Sequence, residues 1–316
     1  MIDDAYATST ASAFRYQWTA FINFHLAHKL SLYPLNYMNV ARYLTVYSQK
    51  VSAYASIMNV ASSLKKFYHL SGYILDLSHP IVDLLLKSCK KNKSQSAKPK
   101  SPIEPGHLIL IGYIINYNLP FQYMFYLAML IQFFSCMRVS NLVLSSATAL
   151  KSIKHLKRGD ISFTSNAMIL CLPWSKTLQN KDNLFMLPIA DVKNCVLRPV
   201  QMYKDFVCKY PMSPNMPAFS MLVNGKLLVL TQNMYANMLK QFLSRIGVPP
   251  DNYGTHSIRR GAASWMFLSK VPISLLKQHG TWRSEAYTRY LSFSHNQRML
   301  PTIKMFDKIN EMFGNL

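Results

Sequence analysis

Between residues 10 and 92, apolar side chains recur at intervals of three and four in successive blocks. Phe14, Trp18, Phe21, Ile22 and Leu26 mark one face from about Ala13 to Lys29. A second block follows Pro34 and carries Val40, Tyr43, Leu44 and Tyr47. A third runs from Ser52 to Leu70 through Tyr54, Ile57, Val60, Leu64 and Tyr68, and stops at Ser71-Gly72. The last begins near His79-Pro80 and carries Val82, Leu85 and Leu86. This period predicts a bundle of four amphipathic helices, and Pro80 suits a first helical turn.

The pattern then breaks. Residues 90–105 are polar, poor in apolar side chains and rich in lysine, with Lys90, Lys91, Lys93, Lys98 and Lys100. Such a segment is expected to be extended and solvated. It divides the chain into a helical domain at 1–92, a basic linker at 93–104 and a second domain at 105–316. The linker lysines are also candidates for a strap along a phosphate backbone and for a nuclear import signal.

No charged residue occurs from Leu108 to Met137. Asn116, Asn118, Pro120 and Gln122 interrupt that stretch, so two buried helices at about 105–117 and 120–136 fit better than a membrane span. A short helix is expected from Val139. Alternation then predicts strands at 160–164, 167–173 and 184–188, the first two joined at Ser165-Asn166. Helical periods return at 199–209, 231–246, 256–267, 272–279, 284–291 and 299–313. The last carries Leu300, Ile303, Phe306, Ile309 and Phe313, a stripe suited to packing on its own domain or on a neighbouring protomer. The fold class is therefore mainly α with a small antiparallel β-sheet.

Charge narrows the partner. Lys and Arg outnumber Asp and Glu by 35 to 13 over 316 residues, a formal net charge of +22. The excess is spread out: residues 1–100 carry 12 basic and 4 acidic side chains, and 101–316 carry 23 and 9. Both parts are thus expected to meet a polyanion, and nucleic acid is a better candidate than a membrane surface. Cys89, Cys136, Cys171, Cys195 and Cys208 form no CxxC pair, so neither a disulfide framework nor a zinc ribbon is expected. The opening Met1-Ile2-Asp3-Asp4 lacks the basic start of a signal peptide.

The chemistry centres on Thr255-His256-Ser257-Ile258-Arg259-Arg260-Gly261. An i, i+3 spacing places His256 and Arg259 on one helical face, where an imidazole and a guanidinium can hold a phosphate beside a proton acceptor. Upstream, Arg138 closes the uncharged helix, and Lys176 sits in the turn between two strands. Downstream comes Gly280-Thr281-Trp282-Arg283-Ser284-Glu285-Ala286-Tyr287-Thr288-Arg289-Tyr290. Taken singly, Arg138 suits a helix C-terminus, Lys176 a solvated turn and His256 a cap.

In this order, the residues resemble the tyrosine recombinases, the phage integrase-like site-specific recombinases. The tail pattern is most similar to those of eukaryotic DIRS-like and Crypton mobile elements. The resemblance spans nearly the whole chain and implies a core-binding domain followed by a catalytic domain, which together clamp duplex DNA. It implies catalytic roles for Arg138, Lys176, His256, Arg259, Trp282 and Tyr290. Cutting a phosphodiester without metal needs charge on the nonbridging oxygens, which two arginines supply. A histidine can accept the nucleophile's proton and a mobile lysine can protonate the leaving 5′-oxygen. A tyrosine nucleophile stores the bond as a 3′-phosphotyrosine. No cofactor, metal or nucleotide is then required.

Two assignments stay open. The slot after the glycine holds Thr281, with Trp282 beside it, and His279 could fill it with a register shift. Tyr287 competes with Tyr290 as nucleophile, and the spacing from Gly280 selects Tyr290. Asn141 stands where many relatives carry Glu or Asp. Lys151, Lys154, Lys157, Arg158 and Arg260 join the linker lysines as expected DNA contacts. The resemblance further implies double-stranded DNA as partner, a homo-tetramer on paired sites, and a location that is nuclear in a eukaryote and cytoplasmic or nucleoid otherwise. A DNA-binding protein without catalysis and a type IB topoisomerase are the alternatives.

Overall fold

The computed structural model describes residues 6, 8–93, 100–150, 152–172, 185–282, 284–291, 299, 302, 303, 305 and 306. The chain forms two compact units, Met1–Pro99 and Lys100–Leu316.

The first unit holds α1 (Thr8–Ala27), α2 (Tyr37–Lys50), α3 (Tyr54–Leu70) and α4 (Pro80–Asn92). Asn36 caps α2, its side chain accepting from the amides of Met38 and Asn39, and so supplies partners for amides that a helix start leaves bare. Phe21, Val40, Leu44, Ile57, Val60, Leu64, Tyr68 and Val82 form the interior. On α1 the buried line runs through Phe21 to His25, whereas Leu26 is 70% exposed. The expected stripe is corrected here. A step of four from Phe21 stays on the face, a step of five leaves it, and the His25 ring is accommodated by donating from Nδ1 to the Phe21 carbonyl at 3.0 Å.

The second unit begins with α5 (Pro105–Ile114) and α6 (Pro120–Ser135). The uncharged stretch thus forms two helices, with Met124 to Ile131 buried on every side of α6. No helix among the described residues is long and apolar enough to cross a membrane. After the short α7 (Val139–Leu142) come β1 (Ile161–Phe163), β2 (Ala167–Leu172) and β3 (Phe185–Ala190). They form an antiparallel sheet in the order β1-β2-β3, with Ile161 opposite Leu170 and Leu170 opposite Leu187. Next are α8 (Pro199–Lys209), β4 (Ser220–Val223), β5 (Lys226–Val229), α9 (Gln232–Arg245), α10 (Thr255–Leu268) and α11 (Ile273–His279).

The β4–β5 hairpin was not anticipated. Its turn is Asn224-Gly225, with φ of 51° and 73°, the two-residue left-handed pair that closes tight hairpins. The helix expected at 284–291 is a tighter 3₁₀ stretch, Glu285–Tyr290. Of the helix expected at 299–313, Ile303 and Phe306 are exposed, while Leu300, Ile309 and Phe313 lie outside the described residues.

Candidate active site

The site is assembled where three chain reversals meet. The first ends α6. Cys136 turns left-handed at φ 53°, and the backbone re-extends at Arg138 with φ −75° and ψ 142°. Arg138 therefore precedes α7 rather than ending α6, which corrects its expected role as a C-terminal helix charge.

The second reversal starts α10. The Gly254 amide donates to the Ser257 hydroxyl at 3.0 Å, which fixes the first turn that presents His256 and Arg259. Arg259 is 2% exposed. Its Nη1 donates to the Cys136 carbonyl and its Nη2 to the Gly280 carbonyl at 2.6 Å. Its buried Nε has no partner within the protein. One guanidinium thus ties the end of α6 to the segment after α11.

The third reversal follows α11. The Trp282 amide donates to the Lys277 carbonyl at 2.8 Å, and the indole folds back over Gly280. A Cβ at Gly280 would lie 1.8 Å from that ring. The Arg259 guanidinium sits 4.4 Å from the Trp282 ring centroid and 5.5 Å from that of Tyr290. The two rings are 5.4 Å apart. Trp282 is buried, and its indole N–H has no partner within the protein.

Arg138, His256, Arg259, Trp282 and Tyr290 are thereby brought together. Burial and then the Arg259 charge lower the Arg138 pKa, while Tyr290 opposes them. His256 is exposed. Partial desolvation, then Arg259 and Arg138, hold its pKa below the ordinary 6.5, so it is neutral near pH 7 and able to accept a proton. Tyr290 is half-buried, with its ring beside the Arg259 guanidinium. Tyr287 is buried, and its hydroxyl bonds to the Glu285 carboxylate, which raises its pKa. His279 donates from Nε2 to the Phe134 carbonyl at 2.8 Å, and burial lowers its pKa.

A narrow cleft runs past Arg138, Asn141, Arg259, His279 and Thr281, with Leu172 of β2 and Leu187 of β3 on its wall. Lys176 falls in 173–184, outside the described residues, as do Lys98 and Lys151. Asn141 is buried, and its carbonyl accepts from the Leu156 amide at 2.8 Å.

Among the other expected DNA contacts, Lys90, Lys91 and Lys154 are exposed, and Lys93 and Lys157 half-exposed. Lys100 is exposed and donates to the Asp251 carbonyl at 2.5 Å. Arg158 corrects the expectation. It is buried, donates from Nη2 to the Ser220 carbonyl at 2.7 Å, and lies 4.5 Å from the Phe206 ring. Its guanidinium is held inward, between the Ser220 carbonyl and the Phe206 ring, rather than presented as part of a basic surface loop. The carbonyls of Cys136 and Gly280 escaped the sequence reading, because a main-chain acceptor has no residue signature.

The arrangement can hold a tetrahedral anion between two guanidinium groups and an indole N–H, beside a phenol and a neutral imidazole. The fold is the tyrosine-recombinase fold: a helical chain with small antiparallel sheets, matched over nearly its whole length by solved recombinases. The chain is similar to the XerH site-specific recombinase in its post-cleavage complex with palindromic difH substrate, at 15% identity over 93% of this chain and 79% of that one, TM-score 0.65. It is similar to the Tn1549 transposon integrase in complex with circular intermediate DNA, at 13% identity over 96% of each chain, TM-score 0.64. Lambda integrase, as a dimer bound to a COC′ core site, matches at 10% identity over 92% and 90%, TM-score 0.55. No protein-family model and no curated protein matches the chain.

Proposed function

We propose that this chain is a site-specific DNA recombinase that breaks and rejoins double-stranded DNA through a 3′-phosphotyrosine on Tyr290. The observation that carries the reading is the packing of buried Arg259 against Trp282 and Tyr290, with Arg259 and Arg138 both close enough to His256 to lower its pKa. Arg138 and Arg259 bind the scissile phosphate and stabilise the charge that grows on its nonbridging oxygens. The unpartnered Nε of Arg259 and indole N–H of Trp282 are donors that an anion would satisfy. His256 takes the phenolic proton as the Tyr290 oxygen attacks phosphorus, and Lys176 protonates the departing 5′-oxygen. Rejoining reverses these steps, so the bond energy is conserved without nucleotide or metal.

The net charge of +22 supports a duplex DNA partner. Assembly as a tetramer on paired sites, and a location that is nuclear in a eukaryote and cytoplasmic or nucleoid otherwise, belong to the same proposal by the family resemblance. An origin in a DIRS-like or Crypton-like element is carried by the resemblance of the Gly280–Tyr290 segment.

The test uses nicked suicide duplexes of randomised sequence, incubated without metal with wild type and Tyr290→Phe. The expected result is an SDS-resistant adduct with wild type alone. An adduct with Tyr290→Phe would move the nucleophile to Tyr287. Tight, salt-sensitive binding with no adduct would favour a DNA-binding protein without catalysis.

A further inference from the structure

Gln132 lies near the end of α6 and is 1% exposed. Its Nε2 donates to the Met137 carbonyl at 3.2 Å and to the Thr255 carbonyl at 3.3 Å. Its Oε1 accepts from the Tyr235 hydroxyl of α9 at 2.6 Å. The amide orientation follows from chemistry: carbonyls accept only, so the NH₂ must face them, and a phenol can donate to the oxygen. Tyr235 is itself wholly buried, and burial pushes its pKa well above the ordinary value, so it remains a donor.

Met137 and Thr255 are the residues immediately before Arg138 and His256. One side-chain amide therefore bridges the two main-chain segments that carry half of the candidate site, at positions 123 residues apart for Gln132 and Thr255. Buried polar groups satisfied in this way fix one geometry, because any drift strands a carbonyl or a hydroxyl away from water. An apolar side chain of the same volume would fill the space without setting that spacing.

We infer that Gln132 is a positioning residue that sets the distance between Arg138 and His256, with Tyr235 holding its amide in register. The inference rests on the recombinase reading for its consequence in catalysis, and on the bridge geometry together with the Arg138 charge for its consequence at His256. The charges that reach His256 come from Arg259 on its own helix and from Arg138 across the Gln132 bridge.

The experiment compares wild type, Gln132→Met and Gln132→Met/Tyr235→Phe as full chains. Three quantities are read: adduct formation at saturating suicide duplex, DNA affinity, and the His256 imidazole titration by NMR. Thermal melts follow in parallel. In Gln132→Met, cleavage is expected to slow by tenfold or more with affinity within twofold of wild type, and the His256 pKa to rise toward 6.5. The double variant removes the stranded hydroxyl, so it is expected to regain thermal stability over the single variant while cleavage stays slow. Cleavage that returns with stability, or a His256 titration identical to wild type, would overturn the inference and leave Gln132 a core amide. If wild type forms no adduct, the recombinase reading fails, and the His256 titration still decides the role of Gln132.

Discussion

Arg260 donates from Nη2 to the main-chain oxygen of Arg289 at 2.6 Å, one residue before Tyr290. Ser264, one turn further along α10, donates to the carbonyl of Tyr290 itself at 3.2 Å. The helix that carries His256 and Arg259 thus grips the tyrosine segment at two successive carbonyls. From the other side, Lys277 of α11 pairs with Glu285 at 2.7 Å. A hydrogen bond of this kind contributes about 1 kcal/mol net, which corresponds to roughly fivefold in rate. Arg260→Ala is therefore expected to slow cleavage about fivefold in single-turnover assays. The salt dependence of DNA binding should stay unchanged. A slope reduced by about 0.9 would instead mean that Arg260 neutralises a phosphate.

Gly280 supports the site through an absent side chain. The Trp282 ring rests where its Cβ would be, at 1.8 Å. Gly280→Ala must push that ring off the Arg259 guanidinium. The φ of −82° at Gly280 is ordinary for alanine, so the backbone itself tolerates the change. Cleavage is expected to fall by about tenfold or more, the usual loss on misplacing a group around the reacting atoms, with DNA affinity nearly kept. Wild-type cleavage in this variant would show that the Trp282 position is immaterial.

Gly261 has a different role. A Cβ there would lie 1.7 Å from the Ile103 carbonyl, and the Ile103 amide donates to Ser257 at 2.9 Å. The segment leading into α5 is thereby laid directly against α10. Gly261→Ala is expected to destabilise the second unit by about 1–3 kcal/mol, as overpacking does. For a unit of this size, that is a Tm lower by roughly 2–4 °C per kcal/mol. Calorimetry checks it, and an unchanged melt would mean that the Ile103 segment yields.

Much of this architecture was legible because local signals were strong. Pro120 begins α6, and an uncharged run broken at Asn116, Asn118 and Pro120 fits two interior helices better than a membrane span. His256 and Arg259 were legible because their spacing alone sets a shared face. The Asn224-Gly225 pair carries an equally strong local signal for a tight hairpin turn. Arg158 was not legible: its burial depends on Ser220, 62 residues away, and on the Phe206 ring, so a basic loop and a core arginine look alike in sequence. The same holds for the acceptors of Arg259, main-chain oxygens 123 and 21 residues away. Their residue names, Cys136 and Gly280, say nothing about the bond. Lys176, expected in the turn between two strands, lies outside the described residues.

Acid should weaken both stability and cleavage, for related reasons. Desolvation is the largest cause lowering the pKa of His25, His107, His155, His279 and, only partly shielded, His256 from 6.5. A lowered folded-state pKa means that the unfolded chain binds protons the folded chain refuses. Stability is then complete above about pH 6.5 and is lost as pH falls through that value toward the folded pKa values. His155 is a clear case, 2% exposed with an Nε2 that has no partner. Tm is expected to drop between pH 7.5 and 5.5, with proton uptake on unfolding, and His155→Gln should reduce that drop. Cleavage should fall on the same side of neutrality as His256 becomes protonated and ceases to accept the Tyr290 proton. Because Arg259 and Arg138 add to the desolvation of His256, the midpoint of that acid limb should lie below 6.5. A rate profile measured where the melt shows the protein fully folded separates the two effects. A midpoint at or above 6.5 would remove His256 from the role of proton acceptor.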